Sequence, residues 1–425
     1  MEKKTITDNG IELFSYPNEH IHSFCLSLYV RAGTLYESDE ENGVTHFLEH
    51  VLFRNINHRM DGRLYRRLDQ LGLYFNGATY KEFLQLYIIG APQHFGEAAE
   101  ILLKAFEPLT LPAGEIKTEQ QRVKAEIREA GDFKTLDYFA GTLCWKNTPL
   151  RNTILGTKGS VSAFTRRKLA AYHDQIFCPE NLFFYVTGCV TESDLAGLAD
   201  RVSALGSLSK GVRRDNCVPV PEGFGARDLL IGVKNSPYTM VQFSYDLVTE
   251  RYTGAELALL YDVLFSGENS LMHQELSEKR GMIYSYASTL EKYNNIGRIY
   301  FAYEVAARDL YASIEVVRKG LADLGADMAD RLSLVLPEYT DNAYMIYDDN
   351  ENFNWQRAYE GHIMNGREKS IEESVRSYLA VTPQRLSQMA AEIFTTDNLV
   401  LSLKGNQKKI DLAEIRQIFG KEDAN

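Results

Sequence analysis

The apolar residues near the N-terminus first follow a period of two. From residue 24 to residue 30, phenylalanine, leucine, leucine and valine occupy every second position. This alternation predicts a strand that is buried on one face. An earlier apolar run, residues 11–16, predicts a strand that turns back at Pro17 and Asn18.

A helical period follows between residues 44 and 52. The apolar positions recur with the i, i+3, i+4, i+7, i+8 spacing of an amphipathic helix. They are Val44, Phe47, Leu48, Val51 and Leu52. This helix is predicted to bury the apolar stripe and to present an adjoining stripe that carries His46 and His50.

Part of the pattern occurs twice. Residues 165–188 and 382–405 share a threonine, a leucine, an Ile-Phe pair, an Asn-Leu pair and a glycine, each 217 positions apart. Both segments predict a helix followed by a buried strand. A looser match aligns residues 51–53 with 263–265, although short apolar matches such as this one also arise by chance. On that register Ala258, Tyr261 and Asp262 stand where the first half has His46, Glu49 and His50.

The repeat and the length of 425 residues predict two similar domains of the α+β class. Each domain is expected to hold a mixed, mostly antiparallel sheet packed with helices. The expected boundaries are 1–210 for the first domain, 211–225 for a linker and 226–425 for the second domain. The second domain is expected to lack metal ligands.

Charge and composition narrow the class of protein. The net charge of −12 argues against a nucleic-acid partner. Neither a signal-peptide pattern nor an apolar run long enough for a membrane span is present, so we expect a cytoplasmic protein without a membrane span. The five scattered cysteines are expected to be reduced thiols.

Two histidines and a glutamate of the predicted helix form the main candidate site. His46 and His50 are four residues apart, so both imidazoles project from one face and can share a cation. Glu49 lies beside them, where it can act on a water bound to that cation. The H-x-x-E-H order is typical of zinc peptidases. At this point a structural His–Glu–His cluster without function remains an alternative.

A catalytic zinc usually has three protein ligands, so we expect a third one elsewhere. Residues 115–127 have apolar residues at helical spacing. Glu119 and Glu126 are two turns apart and flank that apolar stripe on nearly one face. Glu126 could coordinate the metal while Glu119 hydrogen-bonds a ligand or the bound water. A solvated helix face is the ordinary alternative for both.

With the H-x-x-E-H run and the later glutamate, the sequence resembles the M16 peptidases, the family of pitrilysin, insulin-degrading enzyme and the mitochondrial processing peptidase. Glu126 lies 76 residues after His50, the spacing at which that family places its glutamate ligand. The resemblance spans nearly the whole chain and is strongest to the short, one-unit members. Other matching stretches are Arg31–Thr34, Glu41–Gly43, Ile154–Thr157 and Pro179–Asn181.

The resemblance implies an M16/LuxS-like metallohydrolase fold with one Zn²⁺ per chain. It implies that His46, His50 and Glu126 are the zinc ligands. It also implies that Glu49 is the base that activates water and that Glu119 is a supporting carboxylate.

Residues 71–79 resemble the edge strand that lies beside the zinc in this family. Asn76, Gly77 and Ala78 are therefore expected to bind substrate, because an extended peptide can add to such an edge through backbone hydrogen bonds. The family usually has alanine where Gly77 stands. Glycine would loosen the strand and leave more room, and an ordinary Gly-containing turn is an equally compatible interpretation.

Residues 276–285 resemble a second functional segment of the family, with one departure. Active members place an arginine seven residues before a tyrosine, and the pair holds substrate and stabilises the oxyanion. Tyr284 is expected to have this catalytic role, but Ser277 occupies the arginine position and cannot supply its charge. Lys279 and Arg280 are near but occupy other positions.

Short members of the family resemble half of a clamshell, and two subunits close around the peptide. The resemblance therefore implies a zinc-dependent endopeptidase that cleaves peptides or small unfolded segments in a chamber formed by two subunits. Processing of a precursor peptide is one role open to it. The missing arginine favours a heterodimer with a second M16-like subunit over a homodimer. The alternatives are a non-catalytic or weakly active subunit of a processing complex, and a peptide-binding or metal-storage module.

Overall fold

The chain divides into two compact units whose segments alternate along the sequence. A computed structural model describes residues 2–206, 208–219, 227–325, 327–364 and 369–420. The first unit comprises Met1–Asp132, Asn152–Asn216 and Met345–Glu368. The second comprises Phe133–Arg151, Cys217–Tyr344 and Lys369–Asn425.

Strands and helices are numbered separately in chain order. The strands are β1 (Lys3–Ile6), β2 (Glu12–Pro17), β3 (Phe24–Val30), β4 (Tyr74–Thr79), β5 (Leu84–Gly90), β6 (Leu182–Gly188), β7 (Arg227–Gly232), β8 (Tyr238–Leu247), β9 (Tyr286–Lys292), β10 (Gly297–Ala306) and β11 (Leu399–Gly405). The helices are α1 (Val44–Arg59), α2 (Leu64–Leu71), α3 (Phe95–Leu103), α4 (Ala113–Ala130), α5 (Leu136–Cys144), α6 (Lys158–Ala163), α7 (Arg166–Ile176), α8 (Glu192–Ser203), α9 (Gly254–Phe265), α10 (Leu310–Ala322), α11 (Met328–Thr340), α12 (Asn350–Ala358), α13 (Ile371–Leu379), α14 (Pro383–Ile393) and α15 (Leu412–Ile418).

The first unit is built on a six-stranded sheet in the order β1-β2-β6-β3-β5-β4. The pair β2–β6 is parallel, and every other neighbouring pair is antiparallel. Strand β4 therefore lies at one edge of the sheet, next to β5. Because helix α1 packs against both of these strands, the candidate residues of α1 lie near that edge.

Strand β3 differs from the sequence prediction in its burial. The alternating pattern predicted one buried face, but every residue of β3 is buried. Phe24 packs against Phe95 of α3 on one face. On the other face Tyr29 donates a hydrogen bond to Asn354 of α12, at 2.9 Å. Helix α12 is more than 300 residues away in sequence, so the local pattern could not reveal this cover.

The second unit repeats this arrangement with five described strands in the order β7-β11-β8-β10-β9. Its parallel pair, β7–β11, corresponds to β2–β6, and the remaining pairs are again antiparallel. Strand β9 takes the edge position that β4 has in the first unit. Two units, each with a mixed, mostly antiparallel sheet and packed helices, confirm the predicted α+β class.

The 217-residue repeat corresponds to the same helix–strand element in each unit. Helices α7 and α14 begin at the same relative position, as do strands β6 and β11. Thr165 and Thr382 precede the two helices, and each threonine hydroxyl accepts a hydrogen bond from the backbone N–H three residues later. Such side-chain caps satisfy an N–H that has no partner within the helix.

An asparagine joins helix to strand in both copies. The Asn181 amide donates to the carbonyl oxygens of Arg31 and Ile176, each at 3.0 Å. The Asn398 amide donates to the carbonyl oxygens of Asp246 and Ile393, each at 2.9 Å. One carbonyl of each pair belongs to the last residue of the preceding helix. The other lies at the end of the neighbouring antiparallel strand, since Arg31 directly follows β3 and Asp246 is the second-last residue of β8.

The looser sequence match also falls on related helices. Helix α9 follows β8 as α1 follows β3, and each begins after a short connection. In α9 the carboxylate of Asp262, which aligns with His50, accepts a hydrogen bond from Tyr339 at 2.5 Å. The side chain at this position of the second unit therefore serves a contact within its own unit.

The predicted linker begins on the surface of the first unit. The N–H of Gly211 donates to Glu180, and the N–H of Arg214 donates to the side-chain oxygen of Asn181. Asn216 donates to Glu82 and to the Ile363 carbonyl, each at 2.9 Å. Residues 220–225 of the linker lie outside the described residues, and the boundaries 1–210, 211–225 and 226–425 stay predictions.

No helix within the described ranges is both long enough and apolar enough to cross a membrane.

Removing the repeated asparagine amide is expected to destabilise the fold. Asn181→Ala would leave two buried carbonyl groups without this donor, which should lower the free energy of unfolding by about 1–3 kcal/mol. The loss at the less buried Asn398 should be smaller. Urea unfolding followed by circular dichroism measures both. Asp397→Ala, an exposed neighbour, serves as the control, and equal stability of the Asn181 and Asp397 variants would contradict the role given to Asn181.

Candidate metal centre

The first turn of helix α1 is held by a buried carboxylate. Glu37 accepts hydrogen bonds from the N–H groups of Gly43, at 2.8 Å, and Thr45, at 3.0 Å. Burial raises the pKa of Glu37, while these hydrogen bonds oppose the rise. Two N–H groups that have no partner within the helix are thereby satisfied.

A close backbone contact also fixes the start of α1. Gly43 has a φ of 87°, and a Cβ there would lie 2.7 Å from the Cα of Gly156. Gly156 also has a positive φ, and a Cβ on it would lie 2.4 Å from the Asn42 carbonyl oxygen. Both glycines occur in the stretches that resemble the M16 family, and their physical role here is to let two backbones approach.

Helix α1 brings the two histidines of the H-x-x-E-H run together. The His46 and His50 rings have centroids 4.7 Å apart. Glu126 approaches both from α4: one carboxylate oxygen lies 3.6 Å from His46 Nε2, and the other lies 3.6 Å from His50 Nε2. One potential ligand atom from each of the three residues lies within 4.8 Å of the other two.

Glu119, one layer behind this cluster, orients His50. It is only 1% exposed, and its carboxylate meets His50 Nδ1 at 2.9 Å. Arg54 Nε donates to the other carboxylate oxygen of Glu119. The guanidinium of Arg122 lies 3.6 Å from the oxygen that meets His50. Burial would raise the pKa of Glu119, but the hydrogen bonds from His50 and Arg54 outweigh it, so the pKa is lowered. Glu119 is therefore held as a carboxylate.

The two histidines have different electrostatic environments. Burial, with a smaller contribution from His50, lowers the pKa of His46 to about 3, so this imidazole stays neutral and can donate a lone pair. Burial acts in the same direction on His50, but Glu119 and the neighbouring carboxylates outweigh it and raise its pKa. Burial raises the pKa of Glu126, while His50 opposes this rise.

Glu49 is held from the edge strand. The Thr79 hydroxyl of β4 donates to a Glu49 carboxylate oxygen at 2.5 Å. Burial raises the pKa of Glu49, while the Thr79 hydrogen bond and His50 lower it. A carboxyl group whose pKa is raised above its usual range is better suited to accept a proton near neutral pH.

Strand β4 presents alternate residues to α1. Phe75 packs on Phe53, with ring centroids 4.6 Å apart, and Gly77 and Thr79 continue this face. A Cβ on Gly77 would lie 2.9 Å from Phe53 and 3.1 Å from Glu49 Cγ. The absent side chain therefore allows the strand to approach α1 closely, and leaves no open space on that side.

Asn76 and Ala78 belong to the opposite face of β4. The Asn76 amide donates to the hydroxyls of Tyr74 and Tyr87, and its oxygen accepts from the N–H of Gly77. Asn76, Gly77 and Ala78 thus lie in the edge strand β4, and of these three Gly77 is the one on the face towards Glu49. Their part in substrate binding stays a prediction.

Two residues of this site were missed at the level of sequence. Thr79 is the last residue of β4 and holds Glu49, and Arg54 comes one turn after His50 on α1 and holds Glu119. Helical spacing could have identified Arg54, because residues i and i+4 are neighbours on a helix. Nothing in the local pattern identified Thr79, because its contact depends on how β4 packs on α1.

Tyr284 belongs to the second unit and is 98% exposed. Ser277 lies in the π-helical turn His273–Glu278. Lys279 and Arg280 both pair with the Glu275 carboxylate, at 2.6 Å and 2.5 Å. Neither cation is therefore free of a carboxylate partner. The catalytic role of Tyr284 stays a prediction.

The three donor groups fit a zinc ion. Donor atoms about 2.0–2.2 Å from a tetrahedral zinc lie somewhat over 3 Å from each other, and the two His–Glu separations are 3.6 Å. The His50–Glu119 contact occupies Nδ1 and leaves Nε2 directed at Glu126. In the part of the chain that the structure describes, this is the one group of three or more histidine, cysteine, aspartate or glutamate residues with such spacing.

Comparisons with known proteins agree with this arrangement. Residues 14–158 match the family model for insulinase (peptidase family M16), and residues 163–331 match the model for the peptidase M16 inactive domain. Together these two models of one family cover most of the chain.

Curated relatives include proteins described as zinc proteases. A Bacillus subtilis protein described as uncharacterized zinc protease YmxG is 23% identical over 401 residues, which cover 93% of this chain and 97% of the relative. The rat mitochondrial-processing peptidase subunit beta is 28% identical over 198 residues, 46% of this chain and 40% of that protein.

Solved structures share the fold. A protease from Helicobacter pylori superposes with a TM-score of 0.81 at 16% identity, covering 95% of this chain and 99% of that one. The periplasmic protease PqqL of Escherichia coli superposes with a TM-score of 0.78 at 20% identity, covering all of this chain and 50% of the larger protein. With both halves matched by models of one family, and with the fold of solved proteases, the chain belongs to peptidase family M16.

Proposed function

We propose that this chain is a zinc-dependent endopeptidase of peptides or small unfolded segments. The observation that supports this proposal best is the position of Glu49 beside the cluster of His46, His50 and Glu126. The names of zinc-protease relatives support the same metal and the same class of reaction.

In this proposal His46, His50 and Glu126 hold one Zn²⁺ per chain. When bound, zinc lowers the pKa of water towards about 7 and polarises a peptide carbonyl. Glu119 keeps His50 in the tautomer with its Nε2 lone pair available, because its carboxylate accepts a hydrogen bond from Nδ1–H. Arg54 prevents Glu119 from carrying an uncompensated buried charge.

Glu49 is the proton carrier of the proposed reaction. Its carboxylate accepts a proton from the attacking water and later gives it to the nitrogen of the departing amine. Burial prepares it for this task by raising its pKa. The Thr79 hydrogen bond fixes one carboxylate oxygen, and the other can therefore face the reacting water.

Strand β4 is the proposed substrate platform. Its edge position leaves one side for an added strand, with Asn76, Gly77 and Ala78 next to Glu49. Backbone pairing of this kind selects an extended conformation more than a particular side chain. It would suit an endopeptidase of flexible segments.

Tyr284 and Ser277 bear on assembly. We propose that Tyr284 contributes to substrate and oxyanion binding in a chamber formed by two subunits. Since Ser277 cannot supply the arginine charge, a heteromeric M16-like partner with both residues is favoured over a homodimer. One relative is named as a subunit of the mitochondrial-processing peptidase, which supports a multi-subunit arrangement.

Precursor processing and a cytoplasmic location are part of this proposal, and the five free thiols are compatible with that location.

The competing proposal is a non-catalytic or weakly active M16-like subunit. The match to the M16 inactive domain begins at residue 163, after Glu49 and all three potential metal ligands, so it does not count against their activity. The retained Glu49 favours an enzyme, because a scaffold has no use for a half-buried carboxyl group beside three potential metal ligands.

Glu49→Gln is expected to separate these two proposals. The substitution removes the proton acceptor but leaves the three metal-binding side chains, so zinc content should stay near one per chain while hydrolysis falls by about 10²–10⁴-fold. Metal analysis measures the first, and cleavage of a quenched fluorescent peptide in the presence of a second M16-like subunit that carries the arginine and tyrosine measures the second, with exposed Glu19→Gln as the matched control. Wild-type protein without zinc would favour the scaffold.

Thr79→Val is expected to reduce kcat with little change in KM. Valine keeps the shape of threonine but cannot donate to Glu49, and loss of a supporting hydrogen bond typically costs about 10–100-fold in activity. Zinc content should not change, and Thr79→Ser should restore most of the rate. A valine variant with wild-type kcat would exclude this positioning role.

The chain purified alone is expected to cleave peptides slowly or not at all, since its own second unit lacks the arginine. Addition of a second M16-like subunit that carries the arginine and tyrosine should raise the rate in the same fluorescent peptide assay. Robust activity of the chain alone that survives Tyr284→Phe would refute the heteromeric arrangement.

A further inference from the structure

A basic cavity lies in the first unit, outside the candidate metal centre. It has a volume of about 640 Å³, within the range of about 300–1,000 Å³ typical of ligand sites. It is formed by the end of α1, one face of α2 and the residue that follows α3. Its lining residues are Arg59, Met60, Arg63, Arg66, Arg67, Gln70 and Lys104.

The sequence of α2 produces this cavity wall. Arg66, Arg67 and Gln70 share one face of α2, and Arg63 is the residue that immediately precedes the helix. Leu64, Leu68 and Leu71 form the opposite, buried face. The helix thus packs through its leucines and leaves its cationic face to the cavity.

The positive charge of the cavity is only partly compensated. Arg59 and Lys104 share one carboxylate, Glu107, at 3.3 Å and 3.5 Å. Arg63 pairs with Asp61 at 2.9 Å, and both side chains are largely exposed. Arg67 lies 3.9 Å from Glu97, a loose contact.

Arg66 has no ion pair among the described residues, and the cavity lining itself contains no carboxylate. Five cations therefore face three nearby carboxylates. The cavity is therefore locally positive, although the net charge of the chain is −12. Concave basic surfaces of this kind concentrate anions by focusing the field.

The cavity is separate from the metal cluster although α1 contributes to both. Arg59 comes nine residues after His50, about 14 Å farther along the helix axis. At about 100° per residue, the two side chains leave opposite sides of α1. Substitutions in the cavity can therefore be made without altering any group of the candidate metal centre.

We infer that this cavity binds an acidic segment of a peptide, as a site additional to the edge strand. Arginine predominates in the lining, and its planar fork binds carboxylates through paired hydrogen bonds. The volume admits several carboxylates, and the exposed side chains of α2 leave it open to a chain that continues beyond it.

The connection between α2 and β4 supports a peptide as the occupant. Only Gly72 and Leu73 separate the end of α2 from Tyr74, the first residue of β4. An extended peptide advances about 3.3 Å per residue. A segment paired along β4 near Gly77 would therefore pass Tyr74 within about three residues and reach the α2 end soon after. The identity of the ligand as a substrate rests on the proposed function, whereas the charge of the cavity does not.

Binding is measured in the Glu49→Gln background, so that no ligand is cleaved. A fluorescently labelled 15-residue peptide with four consecutive glutamates is compared, by anisotropy, with the same peptide carrying glutamines. The acidic peptide should bind at least tenfold more tightly at low salt. Raising the salt concentration should reduce this difference, because exposed charges are screened.

Charge reversal in the cavity tests the location. Arg66→Glu combined with Arg67→Glu should weaken binding of the acidic peptide at least tenfold and leave the glutamine peptide unchanged. The control, Arg308→Glu combined with Arg376→Glu, changes the net charge equally at exposed positions of the second unit and should alter affinity less than twofold. Circular dichroism and thermal unfolding verify that both variants are folded.

Three outcomes would overturn the inference. These are equal affinity for the two peptides, equal losses in the cavity and control variants, and binding of tripolyphosphate in calorimetry without binding of the acidic peptide. The last result would assign the cavity to phosphate groups. Lack of hydrolysis by the wild type even after addition of an M16-like subunit that carries the arginine and tyrosine would instead contradict the proposed function, and it would leave these binding results unaffected.

Discussion

Burial of the Glu119 carboxylate is the constraint on which the candidate metal centre depends. Removing an ionised group from water costs several kcal/mol unless charged partners surround it. His50 and Arg54 of α1 supply those partners, so the same contacts that compensate Glu119 also set α1 against α4. The position of Glu126, two turns along α4, follows from that pairing. One buried charge thus links the orientation of His50 to the placement of Glu126.

The two units show how one framework can carry a site in one copy and omit it in the other. The helix–strand element with its threonine cap and asparagine amide is the same in both. These features stabilise backbone groups, and they do not depend on which side chains α1 and α9 carry. At the position of His50, the second unit has Asp262 bonded to Tyr339. Both units therefore have a polar side chain at this position, but its hydrogen-bond partner is Glu119 in the first unit and Tyr339 in the second.

Local periodicity was sufficient for the elements whose cause is local. The amphipathic helix from Val44, the histidine pair on it and the spacing of Glu119 and Glu126 all follow from residues no more than about two turns apart. The helix–strand pattern within each copy of the repeat is also local. Its recurrence 217 residues later predicted two similar domains of the α+β class. The two-sided burial of β3 and the contact of Thr79 with Glu49 depend on residues far apart in sequence. The alternating pattern around Tyr29 did not indicate that α12 covers the second face of β3. Thr79 had no feature that distinguished it from an ordinary residue at the end of a strand.

The return of residues 345–368 to the first unit has a consequence for how the chain can be divided. The chain passes between the two units five times, so no single cut yields two complete halves. A fragment ending near Asn216 would lack α12 and would expose the aromatic cluster formed by Phe14, Tyr29, Phe83, Phe183 and Tyr185. It would also retain 133–151, a segment that belongs to the other unit. Expression of the first half by itself would therefore produce a fragment with an open sheet face, and a split form of this protein would require exchange of segments as well as a break.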